Sequence, residues 1–179
     1  MTAIATPDLD PVGARTRRLS AASVRRPIEP DTHLPWDQLG SGQVIPDELL
    51  SVAGLDLELT AEQRARLSRE EVASMLAMGV HFEAVLMAGF ARHVAESSDL
   101  TDPRITYMLH EIGEESSHSR AFIRLIDALG PTTHNPIDRA PVTAVLNRVA
   151  RSITKHETLL LVMTLAGEEI PDLLQRLAV

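Results

Sequence analysis

A seven-residue segment, SSDLTDP (residues 97–103), separates two long stretches with the periodicity of an amphipathic α-helix. The stretch before it predicts a helix over residues 69–96, opened by Ser68 and Glu71 at capping-box spacing. The apolar positions of that helix recur at helical intervals: Val72, Leu76, Val80, Leu86 and Phe90. The stretch after the segment predicts a helix that begins at Asp102–Pro103 and ends at Gly130. Two long helices joined by a short break predict an antiparallel hairpin.

The rest of the C-terminal half is also helical in pattern. After the loop GPTTHNPIDRAP, a shorter helix is predicted over residues 142–153 and another from about Lys155 to the end of the sequence. Thr60 and Gln63 show a further capping-box spacing upstream of the hairpin. No stretch alternates apolar and polar residues as a strand would, so the fold class is all-α.

The N-terminal third differs from the rest in composition. Residues 1–58 are rich in Pro, Arg, Ser and Gly and show no helical period, which predicts an irregular N-terminal arm. The motifs HLPW and VIPDELL are expected to anchor this arm on the helical bundle, which is assigned to residues 59–179.

Composition excludes several functions. The net charge of −8 argues against binding to nucleic acid or to an anionic membrane. The longest largely apolar run, Leu159–Gly167, is much shorter than the roughly 20 residues that span a bilayer. The chain has no cysteine, so any metal site must use His and carboxylate ligands. These features, with the lack of an apolar signal core, predict a cytoplasmic protein.

Metal-binding chemistry is indicated by Glu115 and His118 in the segment HEIGEESSHSRAF. Residues three apart on a helix lie on one face, so both side chains reach the same cation. Glu83 lies within the apolar stripe of the preceding helix, where a lone carboxylate is costly. Glu83 is 16 residues before position 99, the centre of the break, and Glu115 is 16 after it. The two carboxylates should therefore face each other deep in the hairpin, where a pair of metal ions would compensate their charge.

A further carboxylate ligand is expected from the last predicted helix. Glu168 and Glu169 follow an apolar run, and helical phase does not choose between them because Pro171 is close. A carboxylate-bridged di-iron bundle uses two lone Glu residues and two Glu-x-x-His pairs. The second pair is missing from the sequence, which predicts a ferritin-like di-iron helical bundle that is incomplete at its C-terminus.

Three stretches in order resemble the di-iron N-oxygenases of the p-aminobenzoate N-oxygenase type: MGVHFEAVL, DPRITYMLHEIGEESSHSRAF and LAGEEIPDLLQR. The resemblance covers about residues 60–179. It implies that Glu83, Glu115 and His118 are metal ligands, and that the Glu of AGEE is another, with Glu168 favoured over Glu169. Family members continue with a helix carrying His-x-x-x-Glu-x-x-His, and this sequence has no such segment.

The resemblance also implies an activity. Two iron ions (Fe2+/Fe3+, with manganese as the other option) would use O₂ to oxidise a small organic substrate, such as an arylamine at its nitrogen. An external electron donor would supply the reducing equivalents. Glu111 and Glu114 are candidates for orienting the ligands from outside the metal's own coordination shell.

Two other hypotheses remain open at this point. The chain is alternatively a truncated, non-catalytic bundle that binds a partner through helix–helix contacts. A homodimer is also expected, in which two chains contribute helices to a shared metal site.

Overall fold

The computed structural model describes residues 11–25, 29–133, 135, 139–156 and 158–167, and this part of the chain contains helices and no β-strand. The helices are α1 (Pro11–Arg25), α2 (Pro30–His33), α3 (Ala61–Glu96), α4 (Pro103–Leu129), α5 (Ala140–Ile153) and α6 (Thr158–Gly167). Short 3-10 turns at Trp36–Gln38 and Asp47–Leu49 lie between α2 and α3. The predicted all-α class is confirmed.

Helix α3 begins eight residues earlier than the periodicity predicts. Its capping box is the upstream one: the Thr60 hydroxyl accepts a hydrogen bond from the Gln63 amide at 3.2 Å, and the Gln63 side chain accepts one from the Thr60 amide at 2.8 Å. The predicted start at Ser68 is wrong because the Ser68 hydroxyl has other partners. It donates to the Ala65 carbonyl at 2.9 Å and accepts from the Val44 amide at 3.1 Å, so it ties the preceding loop to the helix.

Helix α4 has the predicted boundaries. The Asp102 carboxylate accepts a hydrogen bond from the Arg104 amide at 2.9 Å, Pro103 is the first helical residue, and Gly130 ends the helix with φ of +60°. Arg69 of α3 donates to the carbonyls of Ala128 and Leu129 at 2.9 and 3.2 Å. This contact satisfies the free carbonyls at the end of α4 and fixes its height against α3.

The core lies between the hairpin and α6. Helices α3 and α4 pack along each other, and Leu86, Phe90 and Met108 form a buried cluster with Leu160 of α6. Leu160 is fully buried over Gly89, where a Cβ atom would lie only 2.6 Å from a Leu160 methyl carbon. The glycine thus allows α6 to approach α3 closely. Helices α5 and α6 correspond to the two predicted C-terminal helices; residues 168–179 lie outside the described part of the chain.

The N-terminal arm is more regular than expected, since residues 11–25 form a helix. The buried residues of α1 are Thr16 and Ser20, which lie one helical turn apart. Because both are small and polar, the sequence shows no hydrophobic periodicity that would predict this helix. The HLPW anchor is present: the Trp36 indole donates to the Pro30 carbonyl at 2.7 Å and lies under the Arg124 guanidinium, 4.6 Å from the ring centroid. The division at residues 58/59 into arm and bundle stays a prediction.

Helix α3 is long and apolar enough, by length and composition alone, to cross a membrane. It contains an 18-residue window with a mean hydropathy of 1.5. Core helices of soluble proteins have similar windows, and α3 packs against α4 and carries the buried Glu83. The expected lack of a membrane partner stays a prediction.

Candidate metal centre

Glu83 of α3 and Glu115 of α4 meet at one height in the hairpin, as their symmetric spacing about the break predicts. With His118 they form a group whose potential ligand atoms all lie within 4.8 Å of one another. Glu83 is 8% exposed and Glu115 is 1% exposed. The predicted meeting is confirmed, whereas the role of these residues as ligands stays a prediction.

His118 lies one turn beyond Glu115 and points its Nδ1 atom at both carboxylates. Nδ1 is 3.0 Å from Glu115 Oε2 and 3.7 Å from Glu83 Oε1. The imidazole stacks on the Phe122 ring, with centroids 6.4 Å apart and an interplanar angle of 24°. Phe122 fits against α3 because position 79 is glycine: a Cβ there would lie 2.9 Å from the Phe122 ring. The packing of Phe122 therefore orients the imidazole.

Burial and mutual contact shift the pKa values of this group. Burial raises the pKa of Glu115, a rise that the His118 hydrogen bond opposes and the nearby Glu83 carboxylate reinforces. The hydrogen bond to Glu115, and then the nearby Glu83 carboxylate, raise the pKa of His118 to about 10, against the opposing effect of burial. In the absence of metal, a proton on the imidazole thus partly compensates the two carboxylates.

The group fits a metal cation better than it fits that proton. Glu83 Oε2 and Glu115 Oε1 are buried, and neither has a hydrogen-bond partner among the described residues. Buried carboxylate oxygens without donors are costly, and a cation bound between them would remove that cost. Carboxylate and imidazole ligands suit iron and manganese, and two buried carboxylates offset much of the charge of a divalent ion.

The fourth predicted ligand, Glu168, lies outside the described residues, as does Glu169. The described end of α6 is nevertheless close to the cluster. Gly167 packs so closely on Phe82, the neighbour of Glu83, that a Cβ at position 167 would overlap the aromatic ring. The C-terminal end of α6 therefore reaches the level of the metal cluster.

A cavity of about 600 Å³ lies beside His118, and it was not predicted from the sequence. It lies between α4 and the arm, and Glu114 lines it together with His110. Glu114 had been a candidate for orienting the metal ligands, but the structure places it on the wall of this cavity. The polar wall of the cavity could have been predicted from His110, Glu114 and His118, which recur at four-residue intervals along one face of α4. The opposite wall is formed by the arm, whose sequence has no helical periodicity that would predict how it packs on α4.

A helical hairpin in which two buried Glu residues and a His meet is consistent with an all-α bundle of the ferritin-like di-iron class. Comparison with known families is specific: the chain belongs to the p-aminobenzoate N-oxygenase AurF family, whose pattern it matches over residues 12–179. The match begins within α1 and so includes most of the arm. No curated protein and no solved structure matches the chain significantly. The resemblance inferred from the three sequence stretches is confirmed.

Proposed function

We propose that the chain is an O₂-dependent di-iron oxygenase that oxidises a small organic substrate, with an arylamine nitrogen as the favoured target. The observation that carries this proposal is the meeting of the buried carboxylates of Glu83 and Glu115 with the half-buried His118, together with two buried carboxylate oxygens that have no partner among the described residues. Membership of an N-oxygenase family supports the choice of chemistry. Iron is favoured over manganese because the family is one of di-iron enzymes.

Glu168 is proposed as the fourth ligand because the resemblance of the AGEE stretch to the N-oxygenase family, to which the chain belongs, favours it over Glu169. Glu168→Gln should therefore reduce metal binding more than Glu169→Gln does.

Each residue of the cluster has a distinct role in this proposal. Glu83 and Glu115 would hold the metal and offset its charge, and His118 would bind it as a neutral imidazole after losing its proton. Packing of Phe122 on the His118 ring limits ligand motion. When bound, ferrous iron would supply electrons for O₂ reduction, so that one oxygen atom reaches the substrate nitrogen and the other leaves as water. An external donor restores the reduced state.

Isotope labelling tests the activity. The chain is loaded anaerobically with Fe(II), mixed with aniline and a chemical reductant, and exposed to ¹⁸O₂. The proposal predicts an ¹⁸O-labelled N-oxygenated product, detected by mass spectrometry. Glu115→Gln should abolish the product, while Glu62→Gln, an exposed change in the first turn of α3, should not. Labelled product at equal yield from both variants would contradict the proposed role of the cluster.

The non-catalytic alternative makes a different prediction in the same experiment. A chain that retains no iron after loading and forms no labelled product would be the non-catalytic bundle that acts through helix–helix contacts with a partner.

A further inference from the structure

The cavity between the arm and α4, called here the arm cavity, has the size and lining of a small-molecule site. Its volume is about 600 Å³. The arm contributes Val24 and Leu34, which are 64% and 39% exposed, and Ala121 of α4 adds to the apolar part of the wall, so the cavity is a cleft open to solvent. Sites for small molecules are typically clefts of this size with apolar walls and a few polar groups that fix orientation.

The polar groups of the arm cavity lie on one face of α4. His110, Glu114 and His118 succeed one another at intervals of one helical turn. Within the described part of the chain, Glu114 and His110 have neither a hydrogen-bond partner nor an ion pair. None of the described lining residues is Lys or Arg, so Glu114 is the carboxylate that sets the charge preference.

The arm wall of the cavity is fastened by contacts outside it. The Arg120 guanidinium binds both carboxylate oxygens of Glu29, at 2.6 and 3.1 Å. Arg124 donates to Asp31 at 2.8 Å while it covers the Trp36 ring. Bidentate pairs and a cation–π contact fix geometry better than single surface pairs do, so the cavity has a defined shape.

We propose that the arm cavity binds a small, largely apolar molecule that carries an amine, and that the Glu114 carboxylate accepts a hydrogen bond from this group. Because His118 lines the same cavity, the bound molecule lies against one of the candidate metal ligands. Its identity as the substrate of the oxygenase rests on the function proposed above. Glu114 repels a carboxylate, so the cavity selects amines that lack an acid group.

Binding of matched probes to the metal-free chain tests this inference without any enzymatic turnover. Benzylamine, benzyl alcohol and benzoate have nearly the same shape but are cationic, neutral and anionic at pH 7. Calorimetric titration gives each affinity, and the fluorescence of Trp36, the sole tryptophan, gives a second signal from the arm. The variants are Glu114→Gln, which removes the charge, and Ala121→Phe, which fills the cavity. Asp127→Asn is the matched control, an exposed change on α4 outside the cavity.

The inference predicts that benzylamine binds better than benzyl alcohol and that benzoate binds worst. Glu114→Gln should weaken benzylamine binding by about tenfold, the effect of one charge-assisted hydrogen bond, and leave benzyl alcohol within about twofold. Ala121→Phe should abolish binding of both, and Asp127→Asn should change neither. Eight well-placed heavy atoms should give a Kd of about 20 mM or tighter. The absence of saturable benzylamine binding up to about 20 mM would therefore overturn the inference. Equal affinity of wild type and Glu114→Gln for benzylamine would also overturn it.

Iron binding, measured separately, keeps the two proposals apart. Glu114-dependent amine binding by a chain that does not bind iron would support the arm cavity and contradict the oxygenase. Iron binding without amine binding at the arm cavity would contradict this inference alone.

Discussion

At the scale of single residues, Glu83 and Glu115 are where stability and function oppose each other. Both carboxylates are buried, each has an oxygen without a donor among the described residues, and one imidazole serves both. Such a group destabilises a metal-free bundle and becomes favourable only when a cation is bound. One acidic residue within an otherwise apolar stretch of α3 is therefore the sequence pattern that predicts a metal-binding site.

Glu83→Gln should stabilise the metal-free chain. The change removes one of two facing buried charges while keeping the shape of the side chain, and we expect a gain of about 1 kcal/mol in the free energy of unfolding. Urea denaturation in EDTA at pH 7 measures it, with the exposed Glu96→Gln as control. A loss of stability in Glu83→Gln beyond that of the control would show that the carboxylate is already satisfied without metal.

Glu70 should make stability depend on acid pH. Its carboxylate accepts hydrogen bonds from the hydroxyls and amides of Thr132 and Thr133, at 2.5 to 3.2 Å, and these lower its pKa to about 2. Because the folded pKa lies below the unfolded value of 4.5, the stabilisation is present above pH 4.5 and is lost as the pH falls towards 2.

Glu70→Gln should therefore cost about 1 kcal/mol at pH 7, allowing for solvent screening of this exposed group, and much less near pH 3. Thermal unfolding of wild type and variant across this pH range measures the difference, with Glu62→Gln as control. A difference that stays constant with pH would rule out the carboxylate as its source.

At the scale of helices, the close contact of α6 with α3 depends on Gly89. Alanine usually stabilises a helix interior relative to glycine by about 1 kcal/mol. A Cβ at position 89, however, would collide with the fully buried Leu160 side chain, which would have to repack. We expect Gly89→Ala to destabilise the fold by about 1 kcal/mol.

Gly113→Ala is the matched control, because a Cβ there meets no atom within 4 Å. It should stabilise α4 by about 0.5 to 1 kcal/mol. Urea midpoints at unchanged m-value compare the two variants. If both changes are stabilising, α6 does not pack on α3 at Gly89.

The arm should loosen when its arginine contacts are removed. The double variant Arg120→Ala/Arg124→Ala breaks the pairs with Glu29 and Asp31 and the contact with Trp36. Thermolysin should then cleave the arm several-fold faster, because local opening exposes its backbone. Arg92→Ala, which breaks a pair within α3, is the control and should not change the rate. Equal cleavage rates would mean that other contacts hold the arm.

The sequence predicted helices well where their ends are marked by local chemistry and poorly where tertiary contacts decide. Asp102, Pro103 and Gly130 mark α4, and its boundaries are confirmed. The predicted start of α3 at Ser68 was wrong because the Ser68 hydroxyl accepts a hydrogen bond from a distant loop amide, a contact that no local sequence pattern reveals. Helix α1 was missed because it packs through Thr16 and Ser20 and so has no apolar stripe.

At the scale of the whole molecule, the meeting of Glu83, Glu115 and His118 could be predicted from the sequence, and the arm cavity could not. The spacing of Glu83 and Glu115 about the helix break determines their meeting, since rise per residue and antiparallel packing suffice to place them. The arm cavity depends on how a segment without periodicity docks on α4, and long-range pairs such as Arg120 with Glu29 determine that docking. Family membership supports the chemistry, while the arm cavity follows from the structure alone.

Iron stoichiometry tests the central claim, that Glu83, Glu115 and His118 form a metal site. The chain is loaded anaerobically with Fe(II), desalted, and its iron is quantified by mass spectrometry. We expect about one to two iron ions per wild-type chain. The iron should be lost in both Glu115→Ala and His118→Ala. It should be retained in His156→Ala, a control at an exposed histidine. Iron that stays bound in both cluster variants, or fails to bind the wild-type chain, would contradict the central claim.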